Sequence, residues 1–156
     1  AWYYEQHDLG FNYRMTDIQA ALGLSQLSRI DAFITRRRQI ASHYDEALTD
    51  LPVKRPFQHP DTMSAFHLYA IQVDAGKDAV DRRTLFGRMR DAGIGVNVHY
   101  IPVHTQPYYR DLGFHPGQFP QAEKYYANAL SLPLYFDLSL QQQATVLAAL
   151  RRSLYA

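Results

Sequence analysis

The segment Leu9-Gly10-Phe11-Asn12-Tyr13-Arg14-Met15-Thr16-Asp17 sets an amide, a phenol and a guanidinium directly before a helix-start signal. The first amides of a helix have no intrahelical partner and carry partial positive charge, so they favour an anion. Asn12 and Arg14 beside them would suit a phosphate, with Tyr13 as a further hydrogen-bonding group. The competing reading is local: Asn12 satisfies loop backbone, Arg14 pairs with Asp17, and the tyrosine packs.

A second constellation is His99-Tyr100-Ile101-Pro102-Val103-His104, followed by Gln106-Pro107-Tyr108-Tyr109-Arg110. Loops that leave strand ends often carry ligand-binding groups. The alternative is a set of half-buried rings with hydrogen-bonded tips. Two histidines five apart in extended chain point to opposite faces, and cysteine is absent, so no metal is expected. His67 sits in a strand-like run, where it either packs with its ring satisfied or faces a site. Arg36-Arg37-Arg38 shares a helix with Asp31, Asp45 and Glu46 and reads as a solvated face.

These groups must be held by elements that the sequence also marks. Thr16 and Gln19 form a capping-box pattern, and apolar residues from Ile18 to Leu48 predict one long or kinked helix over about 16–48, which Leu51-Pro52 ends. The β-branched and aromatic run from 65 to 73 predicts a strand. Asp78 is expected to cap a helix burying Val80, Leu85 and Met89 and ending at Gly93. A strand over 96–100, a helix from Pro120 to about Leu130, an extended 132–135 and a Ser139/Gln142-capped last helix complete the order. This is an α+β arrangement of helices against a small sheet, divided into residues 1–50, a loop and long helix, and 51–156, a small α/β domain. The long helix needs a further surface to cover its apolar stripe, which predicts self-association.

Composition narrows the function classes. At 47% hydrophobic and 20% charged residues, the 156-residue chain is globular in character. It holds no run near the ~18 apolar residues of a membrane helix. A net charge of +1 provides no strong field for nucleic acid. The lack of cysteine and of a signal-peptide pattern fits a cytoplasmic protein. The opening Ala1-Trp2-Tyr3-Tyr4 lacks an initiator methionine, and the chain is expected to be a piece of a longer one.

In order, GFNYRMTDIQAALGLSQL, TRRRQIASHYDEAL, SAFHLYAIQV, AGIGVNVHYIPVHTQPYYR and SLPLY resemble the DegT-type family of fold type I aminotransferases that use pyridoxal 5'-phosphate on nucleotide-linked keto sugars. Within it the WYYEQ and GFNYRMTDIQAALGLSQL combination is most similar to the branch making UDP-4-amino-4,6-dideoxy-N-acetyl-β-L-altrosamine for pseudaminic acid. The resemblance implies the C-terminal small domain of such an enzyme, preceded by its interface helix and working as a homodimer. It implies that Asn12 reaches the cofactor phosphate of the neighbouring subunit, with Arg14 beside it. Tyr13, His99, Tyr100 and His67 would contact the nucleotide sugar. An amino acid, glutamate, would be the amino donor. The resemblance implies that the family's Schiff-base lysine, and the aspartate that pairs with the pyridinium nitrogen, precede this segment; Lys54, Lys77 and Lys124 match neither position, so the chain alone is expected to be inactive. A lysine-less dehydratase relative and a non-catalytic interaction module are the alternatives.

Overall fold

A computed structural model describes residues 11, 13–73 and 80–155. The chain divides into two compact units, Ala1–Ala32 and Phe33–Ala156.

In the first unit, helix α1 (Asp17–Leu27) starts where its capping box predicts. The Thr16 hydroxyl accepts from the Gln19 amide, and the Gln19 side chain accepts from the Thr16 amide at 2.9 Å. No residue of α1 is buried, and Ile18, Leu22, Leu24 and Leu27 all stand exposed. The long helix read from the sequence is interrupted: Ser28 and Arg29 form a turn, and α2 runs over Ile30–Ala47. Ser28 turns its hydroxyl back onto the Ser25 carbonyl at 2.9 Å, the local hydrogen bonding by which serine competes with helix continuation.

In the second unit, β1 (Val53–Lys54), β2 (Tyr69–Val73) and β3 (Ala129–Leu132) form an antiparallel sheet in the order β1-β2-β3. Tyr69 pairs with Leu132 and Ile71 with Leu130. Helices α3 (Arg82–Asp91), α4 (Pro107–Asp111), α5 (Pro120–Asn128) and α6 (Leu140–Tyr155) complete the unit. The core joins Ile40 and Tyr44 of α2 with Leu48 just after it, Tyr69 and Ile71 of β2, Leu85 and Met89 of α3, Leu130 of β3, and Val146 and Leu150 of α6. Strand β2 alternates as period-2 geometry requires, burying Tyr69, Ile71 and Val73. All four residues of β3 are buried, which marks it as the strand covered on both faces. Two buried side chains tie the core to backbone carbonyls: Tyr44 donates to the Pro133 carbonyl at 2.9 Å, and Gln143 donates from its amide nitrogen to the Ile40 carbonyl at 2.7 Å, while Gln143 Oε1 and Arg82 Nε are buried without a partner among the described residues.

Two further expectations shift. The helix expected to be capped by Asp78 is capped by Asp81, whose carboxylate accepts from the amides of Arg83 and Thr84; Asp78 lies outside the described residues. Gly93 does end that helix, at φ 77°. The strand expected over 96–100 reduces to one bridge, Asn97 with Ser131 at the edge of β3. At the next ladder position His99 offers β3 its ring, which bonds the Ser131 hydroxyl, and no backbone pair forms.

Candidate functional site

Tyr13 and Arg14 precede the capped start of α1, and both are exposed. Among the described residues no salt bridge joins Arg14 to Asp17, so the local pairing that would have absorbed the guanidinium is not made. The capping box occupies the Gln19 amide; among the described residues those of Asp17 and Ile18 have no hydrogen-bond partner at the helix start. An exposed guanidinium with no ion pair among the described residues, set just before a helix N-terminus, is donor chemistry that fits a phosphate. Asn12 lies outside the described residues.

The loop from Asn97 to Thr105 belongs to the second unit and is tied at both ends. At its start Asn97 bridges Ser131, and His99 Nδ1 lies 2.8 Å from the Ser131 hydroxyl. The peptide between His99 and Tyr100 is cis, and their rings meet edge to face at 4.5 Å. Tyr100 stands 69% exposed, so its phenol is presented to solvent, whereas His99 is half-buried. At the other end Val103–Thr105 forms a 3₁₀ turn in which the Thr105 amide donates to the Pro102 carbonyl at 2.9 Å.

Within that turn His104 is buried, its ring tilted against Phe119 at 4.8 Å and its Nε2 2.9 Å from Glu123 Oε1. The same carboxylate oxygen accepts the Gly117 amide at 2.7 Å. These bonds, that from His104 foremost, hold the Glu123 carboxyl below the usual glutamate range. An ionised carboxylate only accepts, so the proton of the pair sits on His104 Nε2. Beside the pair, Pro102, Val103, Tyr109, Phe114, Phe119 and Ala122 line an open apolar concavity of about 360 Å³.

His67 lies just before β2 with its side chain exposed, not packed as its strand-like context suggested. Its carbonyl accepts from Arg37 Nη1 at 3.1 Å. No hydrogen bond or ring contact joins His67 to His99 or Tyr100, while His99 and Tyr100 are brought together. The reading of Arg36 to Arg38 as a solvated face is corrected for two of the three. Arg36 donates to the Leu138 carbonyl at 2.7 Å, and Arg37 donates to the carbonyls of Phe66, His67 and Leu134. Helical spacing held the missed signal: Arg37 lies three, four and seven residues before the buried Ile40, Ala41 and Tyr44, on the same stripe. Glu123 and Ser131 were also missed, because their partners lie 19 and 32 residues away.

Lys54 and Lys124 are both exposed, on β1 and α5, and Lys77 lies outside the described residues. Among the described residues no three of His, Asp and Glu gather as a metal would need, and no helix is long and apolar enough to cross a membrane.

Known proteins resemble this chain in sequence and in fold. The chain is 43% identical over 154 residues to the spore coat polysaccharide biosynthesis protein SpsC of Bacillus subtilis, covering 97% of this chain and 40% of SpsC. The PLP form of Spr1654 from Streptococcus pneumoniae superposes with a TM-score of 0.85 at 29% identity, over 98% of this chain and 39% of that one. PseC of Helicobacter pylori, an aminotransferase involved in the biosynthesis of pseudoaminic acid, superposes with a TM-score of 0.81 at 28% identity, over 96% of this chain and 40% of PseC. The chain thus spans about 40% of the length of the relatives it matches. The model of the DegT/DnrJ/EryC1/StrS aminotransferase family matches residues 2–151, from before α1 to the last turns of α6, and this chain belongs to that family.

Proposed function

We propose that the protein containing this chain is a pyridoxal 5'-phosphate-dependent aminotransferase. It transfers an amino group from an amino acid, glutamate, to a nucleotide-linked 4-keto-6-deoxy sugar in the making of pseudaminic acid or a related surface glycan. The observation that carries this reading is the fold agreement with the PLP form of Spr1654 over 98% of the chain. The names of PseC and SpsC support the sugar and the polysaccharide context.

When bound, the cofactor supplies the electron sink that lets an amino group pass between two substrates. The residues of this chain bind and orient. Arg14, exposed and without an ion pair among the described residues, neutralises phosphate charge at the start of α1. Asn12, two residues before it, donates its amide to the cofactor phosphate held by the neighbouring subunit of a homodimer. The exposed apolar residues of α1 fit burial in such a dimer. Tyr13, Tyr100, His99 and His67 are the contacts for the nucleotide sugar, with the Tyr100 phenol already presented to solvent. No group of this chain makes or breaks a bond in the reaction, so on this reading the chain alone is inactive.

The full-length protein, loaded with cofactor, is given glutamate while the cofactor absorbance is followed. The spectrum should change to that of the amine form. Adding a UDP-linked 4-keto-6-deoxy sugar should reverse the change and yield the amino sugar by mass spectrometry. Loss of water from the sugar without nitrogen gain would indicate a dehydratase instead, and no reaction with either substrate would dismiss the aminotransferase reading.

A further inference from the structure

We infer that Glu123, acting through His104, is a positioning residue that fixes the His99–Tyr100 loop for the nucleotide sugar. This rests on the reading above that His99 and Tyr100 contact that substrate. Among the described residues four polar side chains are buried, namely His104, Ser131, Gln143 and Ser153. Two of the four, Ser131 and His104, anchor the two ends of one loop. Between the anchors the chain is open to solvent: Tyr100 is 69% exposed, Ile101 49% and Val103 60%.

Packing alone does not explain the second anchor. The wall around His104 is apolar, built by Pro102, Val103, Tyr109, Phe114 and Phe119, and an apolar residue would fill that space without the desolvation cost of an imidazole. A directional hydrogen bond does what apolar contact cannot. It fixes the rotation of the ring and with it the 3₁₀ turn at Val103–Thr105, where the Thr105 hydroxyl and amide both clamp the Pro102 carbonyl, at 2.7 and 2.9 Å. Glu123 stands in the first turn of α5, and its Oε1 also gathers the Gly117 amide, so the anchor is itself held from two sides. The loop is therefore stretched between β3 and α5, and the angle at which Tyr100 leaves it depends on both ends.

The test uses the full-length enzyme and separates its two half-reactions, since in a ping-pong scheme kcat/KM for each substrate reports on its own half. Glu123→Ala should lower kcat/KM for the nucleotide sugar on the order of tenfold to a hundredfold, mainly through KM, as a small misplacement of a binding group does. The half-reaction with glutamate should stay within about twofold of wild type. Calorimetry with UDP as the probe should show a weakening by a similar factor. Glu123→Gln keeps an oxygen that accepts from His104 Nε2 and the Gly117 amide, so it should restore both readings. Two results overturn the inference: equal loss in both half-reactions, which marks a general packing role, or unchanged sugar kinetics in Glu123→Ala. A wild-type enzyme that aminates no nucleotide-linked keto sugar removes the underlying reading before any variant is made, and is thereby distinguished from either.

Discussion

Arg37 of α2 donates from Nη1 to the carbonyl oxygen of Phe66 at 2.9 Å, at the one described non-glycine residue with a positive φ, 47°. That backbone region is disfavoured for a residue with a Cβ, so the conformation needs support from outside. The same nitrogen lies 3.1 Å from the His67 carbonyl and 3.4 Å from that of Leu134, so one guanidinium ties the entry to β2 to the exit from β3. Arg37→Ala should destabilise the protein by about 1.5–3 kcal/mol, the range for a hydrogen bond involving a charged group. Because one nitrogen serves all three acceptors, Arg37→Lys should recover part of the loss. Urea unfolding gives the stability, and hydrogen exchange at Tyr69 and Ala70 gives the local effect. Unchanged protection in Arg37→Ala would mean that the clamp is incidental.

The parts of this structure that were legible in the sequence are those whose chemistry is local. The boxes Thr16/Gln19 and Ser139/Gln142 each close over three residues, and both form as read. The alternation of Tyr69, Ile71 and Val73 and the stripe of Val146, Leu147, Leu150 and Leu154 follow from single-element periodicity. What sequence could not show are the long-range partners. A guanidinium on α2 says nothing of three carbonyls 29, 30 and 97 residues away, and Glu123 reads as a first-turn helix acid until His104 is placed against it. The family was legible because several motifs keep their order and spacing along the whole chain.

Acid should act on the same pair. Glu123 is held below the usual carboxyl range by His104 and Gly117, so the unfolded chain binds a proton there more readily than the folded one. Its contribution is present above the ordinary glutamate value and is lost as pH falls through the lower folded value. Asp81, bonded by Thr84 and the first amides of α3, and Asp50, bonded by Arg151, shift in the same direction. The Asp50–Arg151 pair is exposed and screened by salt, whereas His104 is buried beside Glu123. Thermal melts from about pH 6 to about pH 3 in moderate salt should therefore show a shallower acid limb for Glu123→Gln than for wild type. Parallel curves would show that Glu123 carries no share of it.

The loop before α1 provides the last test. If Asn12 donates its amide to a cofactor phosphate across a dimer interface, Asn12→Ala in the full-length enzyme should weaken cofactor retention while leaving the fold nearly unchanged. Loss of one hydrogen bond to a charged group costs about 1.5–3 kcal/mol, roughly tenfold to a hundredfold in affinity. A capping or packing role would do the reverse, lowering thermal stability with retention intact. Mixed dimers separate donation between subunits from donation within one. One subunit carries Asn12→Ala and keeps the Schiff-base lysine; the other keeps Asn12 and lacks the lysine. With donation across the interface, the lysine-bearing site receives Asn12 from its partner and is complete, while the other site has both defects. Mixing two crippled homodimers should then restore up to about half of the two-site activity per mixed dimer. With donation inside one subunit, each site keeps one defect and mixing restores nothing. Subunit exchange is verified independently by a mass tag on one parent, so activity that stays at the parents' level after exchange would place Asn12 in its own subunit's site and refute the cross-interface assignment.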